Sequence, residues 1–247
     1  MKHSSIKAVL VVLLVLPLSV FSQLKTDTIS NTKPTKHKLN PGLGKEVFSA
    51  KHLIIFGGLL GSSFLLDEWT HDKIQSNQSP FLKHYTNFAN ELGEKKIMGS
   101  ATFATWLIGK AIKNDRLSNT ALNSAKALII GAMLTEGIKN VSGRSRPYLN
   151  RGSMHFHAFD NESDGAKSMP SGHSFVAWSI ITPFAEEYSK WLYAVPISVS
   201  FARMYRNKHW LSDVVLGGGI GYFAGLYFQK RKNQRVIFSG NGITIKF

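Results

Sequence analysis

From residue 51 onwards, apolar runs of 12 to 15 residues alternate with polar connections. A run of this length between polar segments is typical of a helix that buries at least one face. A polar stretch, residues 67–96, has an amphipathic pattern and adds a further helical segment. We therefore predict an all-α protein, a bundle of six or seven helices of which about six form the core. The six apolar runs cover residues 53–66, 97–109, 127–138, 174–185, 191–202 and 214–228.

The apolar runs are shorter than the roughly 20 residues that a membrane-spanning helix needs. Charged residues also bracket the third run closely, at Lys126 and Glu136. Glycines at every fourth position, Gly217, Gly221 and Gly225, permit close helix contact, which suits lipid and a tightly packed soluble bundle equally. The pattern favours a domain that is attached to a membrane or partly embedded in it.

The first 22 residues have the features of an export signal. Lys2 and Lys7 precede an apolar stretch, residues 8–21, whose 14 residues are short for a span. Val20 and Ser22 are the small residues that a signal peptidase requires before its cut. An uncleaved N-terminal anchor is the alternative. Both interpretations predict an exported protein of the cell envelope, with a periplasm-facing domain associated with the inner membrane.

Composition divides the remaining chain into three parts. Residues 23–50 are polar, contain two prolines and predict an N-terminal arm or linker. The helical domain is predicted to cover residues 51–232, and residues 233–247 form a C-terminal tail. In this tail, β-forming residues flank Gly240-Asn241-Gly242, which predicts a short two-stranded ribbon.

The formal charge of the chain is +15, from 30 Lys and Arg against 15 Asp and Glu. Such an excess attracts nucleic acid, anionic lipid surfaces or phosphorylated substrates. The chain has no basic stripe with interleaved aromatic residues and no nucleic-acid-binding module, so we expect no nucleic-acid partner. It also has no cysteine, which excludes disulfides and thiol chemistry.

Three short motifs carry the candidate chemistry: Lys139-x6-Arg146-Pro147, the "PSGH" stretch 170–173, and Arg203-x5-His209-x3-Asp213. Each motif alone has an ordinary structural explanation. The first provides cations at a helix end, the second a helix start, and the third a surface pair four residues apart. Together, however, they supply what phosphoryl transfer needs: a nucleophile, an acid for the leaving group, and cations around the phosphate oxygens.

The two histidines suit complementary roles in such a site. If the segment of His209 is helical, Asp213 lies one turn further on the same face and accepts the proton of one ring nitrogen. The other ring nitrogen is then free to attack phosphorus. His173, in the first turn of the next helix, can protonate the departing alkoxide and later activate water.

The remaining motif residues suit the binding of a phosphate group. The backbone N–H groups of Ser171, Gly172 and His173 are predicted at a helix N-terminus, which favours anions. Lys139, Arg146 and Arg203 would surround the phosphate oxygens, with arginine offering two-point contacts. Arg144 lies between two of these cations in sequence, and it is either a supporting residue of the site or a surface charge.

The order and spacing of these motifs resemble the type 2 phosphatidic acid phosphatase (PAP2) superfamily, which also contains vanadium haloperoxidases and bacterial class A acid phosphatases. The resemblance covers roughly residues 51–230. It departs from the family pattern at Ala202, where the family usually has a serine that helps to hold phosphate, so one phosphate contact is in doubt.

The resemblance implies an all-α bundle and a metal-free reaction through a phosphohistidine, on a phosphomonoester or pyrophosphate. It implies that His209 is the nucleophile, His173 the acid and Asp213 the residue that orients the nucleophile. The substrate-phosphate ligands that it implies are Lys139, Arg146, Ser171, Gly172 and Arg203.

The predicted function is that of a cell-envelope phosphatase. Phosphorylated lipids such as isoprenoid pyrophosphate, phosphatidic acid, phosphatidylglycerophosphate or lipid A suit the apolar helices, and a small phosphate ester is the other substrate class. We expect no metal and no cofactor, although His155 and His157 have the spacing of metal ligands. One alternative is a haloperoxidase that holds vanadate on His209. The other is an envelope protein that binds phosphate or lipid without catalysis.

Overall fold

The computed structural model describes residues 47–159 and 164–231, together with the backbone of two strands, Arg235–Ser239 and Gly242–Lys246. This part of the chain contains eight α-helices, and the two strands, β1 and β2, pair antiparallel beyond them. The all-α class of the domain is confirmed. The helices are α1 (Ala50–Leu65), α2 (Asp67–Ser76), α3 (Pro80–Glu91), α4 (Lys95–Ala111), α5 (Asp115–Ser142), α6 (Gly172–Glu187), α7 (Ala194–Tyr205) and α8 (Leu211–Lys230).

Two more helices form than the six apolar runs suggest, because residues 67–96 contain two helices and not one. A Ser-Pro pair separates them. Ser79 accepts the N–H of Leu82 at 3.2 Å, and Pro80 occupies the first position of α3, where its missing N–H costs nothing. Single 3-10 turns lie at Pro147–Leu149, Asp164–Ala166 and Lys190–Tyr193.

The long helix α5 begins and ends at residues with suitable side chains. At its start, the side chain of Asn114 accepts the N–H of Leu117 at 2.9 Å. At its end, Gly143 has φ +53°, and a Cβ at this position would lie 1.5 Å from the carbonyl oxygen of His157. Only glycine fits there, so the chain turns sharply away from α5 immediately after Lys139 has been placed in its last turn.

The centre of the domain is a close pair of helices, α6 and α8. Cβ atoms added at Gly217 and Gly221 would lie 2.4 Å and 2.5 Å from the backbone oxygens of Ser171 and Phe175. The glycine ladder of α8 therefore brings its backbone directly onto α6. Twelve of the sixteen residues of α6 are buried, and a core of apolar side chains from α4 to α7 surrounds it.

Large apolar side chains cover much of the outward surface. The exposed fraction is 74% for Ile54 on α1, 60% for Phe103 on α4 and 73% for Met133 on α5. In the described part, α8 is long and apolar enough to cross a membrane, and α1 and α2 would pass as one broken span with a bend of 59°. The helix α8 has 20 residues and so extends beyond its apolar run, residues 214–228.

Candidate active site

The predicted site residues lie at the ends of four helices that meet at one side of the domain. The last turn of α5 carries Lys139, and α7 carries Arg203. Ser171 caps α6, which places His173 in its first turn, and Asp213 stands in the first turn of α8. Arg146 follows the turn at the end of α5.

His209 lies before α8 and not on it, since the helix begins at Leu211. The helical four-residue relation between His209 and Asp213 that the sequence suggested is therefore absent. The Nδ1 atom of His209 lies 2.7 Å from the carbonyl oxygen of Ser168 and 3.6 Å from Oδ2 of Asp213. Because only the first distance is that of a hydrogen bond, Nδ1–H donates to the Ser168 carbonyl and Nε2 is the basic nitrogen.

Asp213 connects the segments around both histidines. Its Oδ2 accepts the hydroxyl of Ser168 at 2.5 Å and the N–H of Trp210 at 2.8 Å, and its Oδ1 accepts Arg144 at 2.6 Å. Its main-chain carbonyl accepts the N–H of Ser171 at 3.0 Å. Asp213 thus holds the residue whose carbonyl orients His209 and the start of the helix that carries His173.

The N–H group of Ser171 is not available to a phosphate, which corrects one expected contact. It already donates to the Asp213 carbonyl, and its hydroxyl is 3.5 Å from the N–H of Ser174 as the helix cap. The N–H groups of Gly172 and His173 have no acceptor inside the helix. A Cβ at Gly172 would lie 3.2 Å from Nζ of Lys139, so the glycine leaves room for this ammonium group beside the helix start.

Both imidazoles have a lowered pKa, which favours their neutral form at neutral pH. Burial, followed by the positive charges of Arg203, His209, Lys139 and Arg146, lowers the pKa of His173 to about 2. Burial also lowers the pKa of His209 to about 3, although Asp213 opposes this shift. Residues from all three motifs thus lie near enough to His173 for their charges to act on it. A carboxylate oxygen of Glu94 lies 3.8 Å from its Nε2.

The cations are crowded and only partly paired. Arg146 donates through Nε and Nη2 to the carbonyl and the carboxylate of Asp164, at 2.9 Å and 3.0 Å. Arg203 donates through Nη1 to Asn90, whereas its buried Nε has no partner among the described residues. Burial and the nearby charges of Arg146 and Arg206 lower the pKa of Arg203 to about 10. An anion here would satisfy the buried donor and relieve the repulsion.

Arg144 is completely buried, so its interpretation as a surface charge is wrong. Ala202 is also completely buried, on the helix that carries Arg203.

The side chains of His155 and His157 approach each other at 3.2 Å between their Nε2 atoms, and Nδ1 of His155 is 2.8 Å from the hydroxyl of Ser145. Within the described residues, no group of three or more His, Cys, Asp or Glu side chains is placed to hold a metal ion.

Sequence reasoning missed several residues of the site. Asp67 binds Arg144, Asn90 binds Arg203, and Asp164 binds Arg146. Asp67 had a usable signal, because it is a carboxylate directly after the apolar run 53–66. The carbonyl of Ser168 had none, since a main-chain oxygen carries no residue identity.

Comparison with known proteins gives a consistent picture. Residues 120–236 match the model of the PAP2 superfamily. Over 84 residues the chain is 33% identical to a lipid A 1-phosphatase of Porphyromonas gingivalis, a match that covers 31% of this chain and 19% of that protein. The chain thus aligns with about a fifth of the length of this relative.

Two solved structures are similar. A crystal structure of Aquifex aeolicus LpxE superposes with a TM-score of 0.53 at 18% identity, covering 67% of this chain and 95% of that chain. A PAP2-type phosphatidylglycerolphosphate phosphatase of Bacillus subtilis gives a TM-score of 0.47 at 17% identity, covering 76% and 90% of the two chains.

The matched segment contains all three motifs, from Lys139 to Asp213, and the helical fold agrees with that of the Aquifex protein. The resemblance seen in the motifs is thereby confirmed. Residues 120–236 of the chain are thus similar to the PAP2 superfamily.

Proposed function

We propose that this protein is a phosphatase that hydrolyses a phosphomonoester or diphosphate of a lipid through a phosphohistidine intermediate. The observation that carries the proposal is the convergence of the three motifs: a neutral His209 with a basic Nε2, and a second histidine on which the charges of Lys139, Arg146 and Arg203 all act. The match of residues 120–236 to the PAP2 superfamily model supports the same chemistry.

In the first step, Nε2 of His209 attacks phosphorus while its Nδ1–H stays bound to the Ser168 carbonyl. The N–P bond forms as the bond to the leaving oxygen breaks, and His173 gives this oxygen its proton. Burial, and after it the nearby cations, lower the pKa of His173. A bound phosphate would raise this pKa, because its negative charge favours the protonated imidazole.

In the second step, water attacks the phosphohistidine. Neutral His173, left by the first step, takes a proton from this water, and the N–P bond breaks to release phosphate and restore His209. Throughout, the cations stabilise the charge that develops on the equatorial oxygens, and the N–H groups at the start of α6 add their partial charges. This chain supplies these groups itself, and we propose that the reaction is independent of metal.

A lipid substrate is supported by the apolar surface and by the relative named lipid A 1-phosphatase. An apolar groove of about 610 Å³ also lies between α1, α7 and α8. Exposing a hydrocarbon chain to water raises its free energy in proportion to the exposed area, so such chains favour apolar surfaces of this kind. The groove is lined by Phe56, Leu59, Ile197, Phe201, Val215 and Phe223, among other residues.

We further propose that the domain faces the periplasm of the cell envelope and associates with the inner membrane. The signal-like residues 1–22 support export, but they lie outside the described residues, as does the arm before Val47. The exposed apolar faces of α1, α4 and α5 support contact with lipid.

The proposal is tested by phosphate release from purified protein in detergent. Phosphatidic acid, an isoprenyl diphosphate and lipid A are compared with a soluble aryl phosphate, with and without EDTA. We expect the lipids to be cleaved faster and EDTA to have no effect. His209→Ala should abolish turnover, whereas the exposed His84→Ala should retain it.

Three results would contradict the proposal. Full activity of His209→Ala would exclude a phosphohistidine intermediate on His209. Oxidation of bromide with peroxide and vanadate, in the absence of phosphate release, would indicate a haloperoxidase. Protection against thermal unfolding by phosphate without any turnover would indicate a binding protein.

A further inference from the structure

Arg144 is a buried arginine that lies among the site residues and bonds to carboxylates. Its side chain is completely buried, and it bridges two carboxylates that are themselves completely buried, Asp67 and Asp213. The distances are 2.7 Å from Nη2 to Asp67 and 2.6 Å from Nη1 to Asp213. An isolated buried charge is costly, and a chain of three alternating charges at these distances satisfies each member.

The other donors of Arg144 fix the direction of its guanidinium group. Nε and Nη2 both donate to the carbonyl oxygen of Ser153, at 2.8 Å and 2.6 Å, and Nη1 also donates to the hydroxyl of Ser212 at 2.6 Å. The rings of Phe64 and Phe156 lie 5.1 Å from the guanidinium carbon. The group is therefore held in one orientation by bonds on every edge and by aromatic contacts.

Asp67 lies at one end of the row of three charges, with Arg144 in the middle and Asp213 at the other end. Its Oδ1 accepts the N–H of Ser212 at 2.8 Å, and its Oδ2 accepts the hydroxyl of the same residue at 2.6 Å. These bonds attach α2 to the first turn of α8, next to Asp213. A carboxylate on α2, more than 140 residues before His209 in sequence, thus determines where the start of α8 lies.

Arg144 reaches the environment of His209 by two routes. Through its side chain it holds Asp213, which binds the hydroxyl of Ser168 and the N–H of Trp210. Through its main chain it accepts the N–H of Ser168 at 3.0 Å. Ser168 supplies the carbonyl that accepts Nδ1–H of His209. Arg144 therefore supports both this acceptor and Trp210, the residue that follows His209 in the chain.

We propose that Arg144 and Asp67 are positioning residues for the nucleophile, which act as one unit through Asp213 and Ser168 to aim Nε2 of His209 at phosphorus. This inference rests on the proposed function. The side-chain hydrogen bonds of Arg144 and Asp67 go to other residues than Lys139, Arg146 and Arg203. We therefore expect their effect to fall on the chemical step and not on the affinity for phosphate. A misplacement of a nucleophile by a fraction of an ångström is enough to slow an in-line attack.

The test uses Arg144→Lys and Asp67→Asn, singly and together, in the full-length protein. Lysine keeps the charge but cannot bond to Ser153, Asp67 and Asp213 at once. We expect each variant to lower kcat by about 10- to 100-fold, the usual cost of losing a residue that orients a reacting group. KM and the inhibition constant of inorganic phosphate should stay unchanged, because the cations are intact.

The double variant shows whether Arg144 and Asp67 act together or independently. If Asp67 acts through Arg144, the double variant should be no slower than the slower single variant, since the second change removes an interaction that is already lost. Effects on kcat that multiply would overturn the joint role. A parallel change in KM and in phosphate inhibition would overturn the positioning role, because general disruption of the fold disturbs binding as well.

A matched control measures how a loss of stability alone affects kcat. Asn123→Ala removes a buried hydrogen bond of 3.0 Å to Gln229, which lies 16 residues beyond Asp213 and so about 24 Å along α8. This variant should melt at a lower temperature and keep the kcat of the parent. If Arg144→Lys does not fold, Asp67→Asn and Ser212→Ala carry the same comparison, and wild-type kcat in both overturns the inference.

The outcome also distinguishes this inference from the proposed function. Inactive His209→Ala together with fully active Arg144→Lys would reject the positioning role and leave the phosphatase standing. Fully active His209→Ala would reject the proposed mechanism itself.

Discussion

At the scale of single residues, the imidazole of His209 is oriented by a main-chain carbonyl, and Asp213 supports this carbonyl from behind. The hydroxyl of Ser168 donates to Asp213 while its carbonyl accepts from His209, so one serine links the two. A main-chain acceptor cannot change its protonation state, and it keeps the proton on Nδ1 of His209 at any pH at which the fold survives.

This arrangement predicts a moderate effect for Asp213→Asn. The NH2 group of the asparagine cannot accept hydrogen bonds from Ser168, Trp210 or Arg144, so some of these contacts are lost. The Ser168 carbonyl still accepts Nδ1–H of His209. We expect kcat to fall by about 10- to 100-fold, as for other residues that orient a reacting group. Where the carboxylate is itself the acceptor, as in serine proteases, the same change costs about 10⁴-fold.

The measurement is kcat of Asp213→Asn on the preferred substrate, beside wild type and His209→Ala. The Asn variant should lie clearly above the His209→Ala background. A loss near 10⁴-fold would show that the carboxylate is the true acceptor and that the Ser168 carbonyl is secondary.

The sequence could predict which side chains belong to the site, because the three motifs combine residue types that phosphoryl transfer needs at specific spacings. It could not predict that Ser168 supplies an acceptor through its carbonyl, or that the N–H of Ser171 is already bound to Asp213. Both are main-chain contacts between segments more than 40 residues apart, and they depend on how α6 and α8 pack.

At the scale of helices, the glycine ladder on α8 determines how closely α6 and α8 approach. The four-residue spacing predicted close helix contact, and the structure shows that the partner is α6 of the same domain. The sequence could not identify this partner, because a row of small residues describes one surface and not the surface that meets it.

Alanine at Gly217 should therefore destabilise the domain. The added methyl group would lie 2.4 Å from the backbone oxygen of Ser171, and a backbone atom cannot move aside as a flexible side chain can. Overpacking of this kind costs about 1–3 kcal/mol. Gly137→Ala on α5 is the matched control, since nothing lies within 4 Å of its Cβ position, and it should gain about 0.5–1 kcal/mol.

Thermal or denaturant unfolding of both variants in detergent checks this prediction. Equal stability of the two variants would mean that α6 and α8 do not approach as closely as described. We also expect Gly217→Ala to lower turnover more than Gly137→Ala, because Ser171 caps the helix that carries His173.

At the scale of the whole molecule, the domain combines a cationic site with a broad apolar exterior. Exposed side chains such as Ile54, Phe103 and Met133 lie on three different helices, so the apolar surface is not confined to one patch. Soluble monomers rarely expose large continuous apolar areas. The sequence indicated attachment to a membrane, but the outward-facing residues became known only from the helix packing.

This surface predicts that the helical domain stays with the membrane without its N-terminal arm. A protease site inserted within residues 23–50 would allow the arm to be cut in isolated membranes. After cleavage and a wash with high salt or alkali, we expect the domain to remain in the pellet, because apolar contacts are not screened by salt. Uncut protein is the control, and release of the cut domain into the supernatant would place the membrane attachment in the first 50 residues.

The helices α6 and α8 both begin at the site, and the positive ends of their dipoles meet different surroundings. The start of α8 is already neutralised, because Asp67 accepts the N–H of Ser212 and Asp213 accepts that of Trp210. The start of α6 is capped by the uncharged hydroxyl of Ser171. An incoming anion is therefore drawn towards the helix of His173, while the Asp213 carboxylate beside His209 favours the positive charge that the ring acquires once it is bonded to phosphorus.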